Sequence, residues 1–189
     1  MSLHLVYAKT KIKKYTQKRR NINISIDYHF AFKISLGNWF IDLFAGIGGF
    51  HYALSSYGAK CVFASDWDKP AQETYFVNHG IMPAGDITKI AAESIPSHDI
   101  LCGVFPCLAF SISGKRLGFE DTRGTLFFDI ARIVEYHKPK VVFMENVKNL
   151  AKHDNGDTFS VIANVMVELG FYYIELYKSI DYEINTCIL

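Results

Sequence analysis

Apolar residues in this chain form short blocks that alternate with polar, glycine-bearing segments. Runs of four to six apolar residues are typical of buried parallel strands, whereas apolar residues that recur every three or four positions are typical of helices. The strand-like runs are 39–44, 61–64, 99–105, 141–144 and 171–177, with a further short strand before residue 85. Helical spacing follows over 50–54, 126–137 and 157–169. This order predicts an α/β fold with a mostly parallel sheet.

The stretch 99–111 reads D-I-L-C-G-V-F-P-C-L-A-F-S, an apolar run that stops at a Pro-Cys pair. Pro106 ends the predicted strand, so Cys107 comes just past its carboxyl end. Ligands of open α/β sheets bind in the crevice at these ends, which makes Cys107 a candidate nucleophile. The alternative for this stretch alone is that Cys107 is a small buried apolar residue.

The first strand-like run leads into the glycine loop A-G-I-G-G, residues 45–49, and then into a helical pattern. Gly46 and Gly48 let the backbone turn tightly and approach a ligand, and the following helix begins with unpaired N–H groups. A dinucleotide fingerprint requires a third glycine at position 51, where this chain has His51. A nicotinamide-dependent dehydrogenase is therefore the weaker interpretation.

Acidic residues follow two further predicted strands. Asp66 comes 20 residues after Gly46, about the spacing at which a carboxylate reaches ribose hydroxyls. The alternative for Asp66 is a helix N-cap, and both roles fit the cluster at 66–68. Trp67 offers a flat face for stacking on a base, and Asp86 follows a turn toward the same edge of the sheet. These residues predict a small polar ligand at that edge.

Glu145 stands at the end of the strand-like run 141–144. Successive strands are often neighbours and lie about 4.8 Å apart, so Glu145 and Cys107 are expected to face one crevice. Between them, residues 111–125 are polar and rich in glycine, which is typical of a long functional loop.

Composition limits the remaining classes of function. The 189 residues are 50% apolar with a formal net charge of +1. Basic residues are concentrated in 9–20, and such a run is more typical of a solvated tail than of a nucleic-acid-binding arm. We expect a basic and aromatic N-terminal extension over 1–37 and one globular domain over 38–189. The four cysteines form no C-x-x-C pair, so neither a metal site nor a disulfide framework is indicated. No apolar stretch reaches the ~20 residues that span a bilayer, and we expect a cytoplasmic protein.

Six motifs carry a specific resemblance. DLFAGIGGF, SDWD, GDIT, FPCLAFS, DTRGTLFFDI and FMENVKNL occur in this order within residues 38–178. The chain thereby resembles the DNA cytosine-5 methyltransferases, and in particular the bacterial modification enzymes of the HhaI type that belong to restriction-modification systems. The resemblance implies a Rossmann-like fold, S-adenosylmethionine as cofactor, and DNA from which the target cytosine is flipped.

The resemblance also implies roles for individual residues. Cys107 is the nucleophile that attacks carbon 6 of cytosine, and Glu145 donates a proton or hydrogen bond to nitrogen 3. The implied cofactor-binding residues are Phe44, Gly46, Gly48, Asp66, Trp67, Asp86, Ile87 and Leu126. The implied DNA-binding residues are Ser111, Ser113, Lys115 and Arg123, whose hydroxyl and basic groups suit phosphates.

The resemblance stops after residue 182, before the target-recognition domain of this family, and so implies that 38–189 is a partial catalytic methyltransferase domain. The alternative function is therefore an inactive remnant that at most binds S-adenosylmethionine weakly, and DNA binding is expected to be weak and non-specific. A final antiparallel strand would normally pair with 141–144, so we expect an open, incomplete sheet edge there. Either 171–177 fills that edge or the chain self-associates through it.

Overall fold

A six-stranded sheet forms the centre of the computed structural model, which describes residues 2–8, 38–105, 126–147, 150, 156–171 and 173–178. The strands are β1 (Ser2–Ala8), β2 (Trp39–Leu43), β3 (Lys60–Ser65), β4 (Ile100–Val104), β5 (Val141–Val147) and β6 (Tyr173–Lys178). Their order is β3-β2-β4-β5-β1-β6. The four strands β3, β2, β4 and β5 are parallel, which confirms the predicted Rossmann-like α/β arrangement.

Among the described residues, four α-helices accompany the sheet: α1 (Gly49–Ser56), α2 (Lys69–His79), α3 (Leu126–His137) and α4 (Asp157–Glu168). Alternate residues of β2 point to opposite faces, so Phe40 packs in a core with α1 while Ile41 packs in a larger core with α3 and α4. Because both faces are covered, the parallel strands are mostly apolar, and the main exception in β2 is the buried Asp42. None of the described helices is long and apolar enough to cross a membrane.

The predicted short strand before Gly85 is reduced to a single parallel bridge between Ser65 and Ala84. The Ala84 N–H donates to the Ala64 carbonyl at 2.8 Å, and the Asp66 N–H donates to the Ala84 carbonyl at 3.1 Å. Pro83 has no N–H to donate, which limits a longer ladder. The bridge still brings the chain before Asp86 next to the end of β3.

The prediction of an open sheet edge along 141–144 was wrong, because β1 pairs with β5 over its whole length. The antiparallel register runs from Ser2 opposite Val147 to Ala8 opposite Val141. On its other side β1 pairs with β6, so 173–178 does not take the place beside β5. Each unpaired buried backbone group would cost about 1–3 kcal/mol, and β1 removes that cost along β5. The other residues of the predicted extension, Met1 and 9–37, lie outside the described part of the chain.

Candidate active site

A cleft of about 610 Å3 lies at the carboxyl ends of β2, β3, β4 and β5. A cleft of this size can enclose most of a ligand the size of a nucleoside derivative. All the predicted cofactor-binding residues except the two glycines line it, namely Phe44, Asp66, Trp67, Asp86, Ile87 and Leu126. Glu145 lines the same cleft. The parallel topology therefore brings together residues that are up to a hundred positions apart in the sequence.

The glycine loop connects β2 to α1 beside this cleft. Gly46 and Gly48 have φ values of 55° and 97°, and Phe44 has a φ of 54°. Glycine adopts this left-handed region without a steric penalty, whereas for phenylalanine it costs about 1–2 kcal/mol. The Ala45 N–H donates to the Ser65 carbonyl at 3.0 Å, which fixes the loop against the end of β3. Phe44, the residue with the strained backbone in this turn, is thus one that lines the cleft.

Asp66 binds the glycine loop through its side chain. Its Oδ2 accepts a hydrogen bond from the Gly46 N–H at 2.7 Å, and its Oδ1 accepts one from the Asp68 N–H at 2.9 Å. The N-cap of α2 is Asp68, whose Oδ2 accepts from the Ala71 N–H at 3.1 Å. The N-cap role considered for Asp66 therefore belongs to Asp68. Each carboxylate oxygen of Asp66 keeps a second lone pair that can accept from a ligand.

Trp67 and Asp86 present an aromatic face and a carboxylate to the same cleft. The Trp67 side chain is 81% exposed, which leaves its ring accessible for stacking. The Asp86 Oδ1 accepts from the Thr88 hydroxyl at 2.8 Å and from the Thr88 N–H at 3.0 Å. These hydrogen bonds, followed by the neighbouring Lys89, lower the pKa of Asp86. Asp86 is therefore a hydrogen-bond acceptor at neutral pH.

Apolar residues close one side of the cleft, where Ile87 is buried and Leu126 begins α3. Arg132 of α3 donates to the Ile87 carbonyl at 2.6 Å and forms an ion pair with Asp129. The helix thereby holds the segment that carries both Asp86 and Ile87.

Glu145 and Val104 lie opposite each other in the β4–β5 register, and both line the cleft. The adjacent Asn146 is buried, and its Nδ2 donates to the Phe105 carbonyl at 2.7 Å. Phe105 is the last described residue before Cys107. Cys107 itself and the DNA-binding candidates Ser111, Ser113, Lys115 and Arg123 lie outside the described residues, so their placement stays a prediction.

Sequence reasoning missed four residues that line the cleft: Ser65, Thr88, Phe105 and Asn146. Ser65 is 1% exposed, and its Oγ has no hydrogen-bond partner within the described part of the chain. A buried polar atom without a partner is costly, so the Ser65 hydroxyl suits a polar ligand group. The signal was available, because Ser65 ends the strand that precedes Asp66.

Comparisons with known proteins agree with this geometry. Residues 39–185 match the family of C-5 cytosine-specific DNA methylases. The chain is similar to Type II methyltransferase M.HhaI of Haemophilus parahaemolyticus, with 62% identity over 146 residues, covering 77% of this chain and 45% of the relative. It is also similar to Type II methyltransferase M.HpaII of Haemophilus parainfluenzae, with 58% identity over 136 residues, covering 70% and 38%.

Among solved structures, the Dnmt2 methyltransferase of S. pombe is similar, with a TM-score of 0.52 and 25% identity, covering 67% of this chain and 41% of that one. The chain spans less than half the length of each of these relatives. The match nevertheless covers every described strand and helix except β1. The chain therefore belongs to the C-5 cytosine-specific DNA methylase family.

Proposed function

We propose that this chain transfers a methyl group from S-adenosylmethionine to carbon 5 of cytosine in DNA, as part of a restriction-modification system. The observation that carries the proposal is that one cleft contains both the cofactor-binding candidates and Glu145. The printed names of the curated relatives are those of type II methyltransferases, which supports the same reaction class. Because the proposed substrate is DNA, we expect the protein to act in the cytoplasm.

The residues of the cleft fit S-adenosylmethionine, which when bound supplies a methyl group on a sulfonium centre. Asp66 has free lone pairs for the ribose hydroxyls, and the exposed Trp67 ring can stack on the adenine. Asp86 is a carboxylate acceptor for the adenine amino group. The Ser65 hydroxyl, buried without a partner among the described residues, offers a further hydrogen bond.

The remaining candidates shape the site. Phe44, Ile87 and Leu126 supply apolar surface along the cleft. Gly46 and Gly48 do not line the cleft, and they act through the loop that Gly46 ties to Asp66. Exclusion of water by this apolar surface would strengthen the polar contacts of the carboxylates.

Two residues carry the chemistry on the base. The Cys107 thiolate forms a bond to carbon 6 of cytosine, and Glu145 donates a proton to nitrogen 3 as electron density moves into the ring. Carbon 5 thereby becomes nucleophilic and accepts the methyl group. Loss of the carbon 5 proton to solvent, departure of the Cys107 thiolate and return of the nitrogen 3 proton to Glu145 restore the aromatic ring. The role of Cys107 rests on the family motif F-P-C at 105–107.

Contacts to DNA are assigned to the phosphate backbone, through Ser111, Ser113, Lys115 and Arg123. Contacts of this kind give binding that is weak, indifferent to sequence and steeply dependent on salt. The paired edge of β5 removes the physical reason for self-association through 141–144.

The direct test is tritium transfer from methyl-labelled S-adenosylmethionine to unmethylated duplex DNA of mixed sequence. We expect incorporation with the wild-type chain and none with Cys107→Ser, because serine is a far weaker nucleophile than a thiolate. Cys187→Ser is the matched control, since no family motif includes Cys187, and it should leave incorporation unchanged.

Absence of transfer by the folded wild-type chain would refute the proposed reaction. If that chain still bound S-adenosylmethionine in a calorimeter, the alternative function, weak cofactor binding without DNA methylation, would stand instead. Equal loss in the Cys107→Ser and Cys187→Ser variants would contradict the nucleophilic role of Cys107.

A further inference from the structure

A buried network lies beneath the glycine loop and contributes no residue to the lining of the cleft. Asp42 of β2 is 1% exposed, and its Oδ2 accepts a hydrogen bond from the Tyr75 hydroxyl at 3.3 Å. The same hydroxyl lies 2.7 Å from Nδ1 of His51, in the first turn of α1. The network therefore joins β2, α1 and α2 through one tyrosine hydroxyl.

The network continues from His51 to the glycine loop. The His51 and His79 rings stack with centroids 4.1 Å apart and planes 10° apart, and the Tyr75 ring lies edge-on to His79 at 4.8 Å. The His79 ring fills the space beside Gly48, where a Cβ would overlap it. The Asn78 side chain also contacts the loop, donating to the Ile47 carbonyl at 3.4 Å. The last turn of α2 is thus fitted against the loop.

Burial favours the neutral form of four groups in this network, Asp42, Tyr75, His51 and Cys61. Burial raises the pKa of Asp42 to about 8, and it also raises the pKa of Tyr75. Burial and the neighbouring His79 lower the pKa of His51 to about 4. Cys61, whose Sγ lies 3.7 Å from the Tyr75 hydroxyl, has a pKa raised to about 11 by burial. Neutral groups that share hydrogen bonds in a buried interior hold one arrangement, because breaking a bond would leave a further polar atom unpaired beside Asp42 Oδ1, which has no partner among the described residues.

We propose that Tyr75 and His79 are positioning residues for the glycine loop and, through it, for the ligand of the cleft. The stacked His79 ring sets the position of Gly48, and at the other end of the loop the Gly46 N–H binds the Asp66 carboxylate that lines the cleft. The inference rests on the proposed function, because it names residues that tune affinity for the same cofactor.

The test compares two substitutions of His79. His79→Ala removes the ring and leaves a gap beside Gly48, whereas His79→Phe keeps a flat ring that can stack on His51. We expect His79→Ala to weaken binding of S-adenosylhomocysteine by roughly 3- to 30-fold in calorimetry, and His79→Phe to remain within about twofold of wild type. Val77→Ala, an 81% exposed side chain in the same turn of α2, is the matched control and should change nothing.

Hydrogen exchange supplies a readout that needs no ligand. Backbone amides over 45–49 should exchange faster in His79→Ala than in wild type, while amides of β4 should not change. Tyr75→Phe removes only the hydroxyl and should also accelerate exchange over 45–49, because His51 loses its partner.

The inference would be overturned if His79→Ala changed neither the affinity for S-adenosylhomocysteine nor the amide exchange over 45–49. It would also be overturned if Val77→Ala had the same effects as His79→Ala. A wild-type chain that binds no S-adenosylhomocysteine would refute the proposed function, and the exchange data would still decide whether His79 positions the loop.

Discussion

Asp42 places a carboxyl group in the middle of the sheet, beneath the glycine loop. Its Oδ1 has no hydrogen-bond partner among the described residues, and burial raises its pKa from the ordinary 3.8 to about 8. Between these two pH values the folded chain holds a proton that the unfolded chain releases. The free energy of unfolding therefore falls as pH rises through this window.

Asp42→Asn should abolish this pH dependence, because the amide does not titrate. His51 and His98, each with its pKa lowered from 6.5 to about 4, titrate alike in wild type and Asp42→Asn, so between pH 6.5 and 8 the difference between the two chains reports Asp42. Over that range the wild type should lose about 2 kcal/mol of unfolding free energy relative to Asp42→Asn. Urea unfolding at each pH measures the difference, with the exposed Asp157→Asn as control. Parallel curves for wild type and Asp42→Asn would contradict this account of Asp42.

Among the secondary-structure elements, β1 is the strand that local sequence patterns did not predict. The strands of the parallel core appear in the sequence as apolar runs, because burial on both faces requires them, and α3 was predicted at its observed bounds of 126–137. The segment Ser2–Ala8 reads S-L-H-L-V-Y-A and pairs with residues about 140 positions away. Its position in the sheet depends on hydrogen bonds to backbone groups of β5 and β6. These partners are distant in the sequence, so no local pattern predicts the pairing.

Substitution of Leu5 by proline tests this strand. Leu5 lies opposite Met144 on one side and Leu176 on the other, so proline there removes an N–H from the interior of the sheet. We expect Leu5→Pro to lower the free energy of unfolding by about 3 kcal/mol, and Leu5→Val, which keeps the backbone N–H, to lower it by less than about 1 kcal/mol. Urea unfolding at pH 7 compares the two variants. Equal stability of Leu5→Pro and wild type would show that β1 does not contribute to the folded sheet in solution.

For the molecule as a whole, the sequence predicted where the cleft lies but not the contacts that hold its lining residues and glycine loop in position. Parallel strands deliver their carboxyl ends to one edge, so Asp66, Asp86 and Glu145 could be assigned to a common site from their positions alone. The bond between Asp66 and Gly46 and the stack of His51 on His79 could not be predicted. Both depend on side chains that meet only after separate helices and loops have packed.

The measurement that tests the central claim most directly is a fluorescence titration of the cleft with S-adenosylhomocysteine. The chain has two tryptophans, and Trp39 lies at the opposite end of β2 from the glycine loop, so Trp39→Phe leaves Trp67 as the only indole reporter. We predict a saturable change in Trp67 emission.

In the same Trp39→Phe chain, Asp66→Ala should raise the midpoint of the titration by the equivalent of about 1–3 kcal/mol, because ligand hydroxyls lose their acceptor. Glu73→Ala, which removes an exposed carboxylate that does not line the cleft, should leave the midpoint unchanged. Trp67 emission that does not respond to millimolar ligand in a folded protein would contradict the assignment of this cleft to the cofactor.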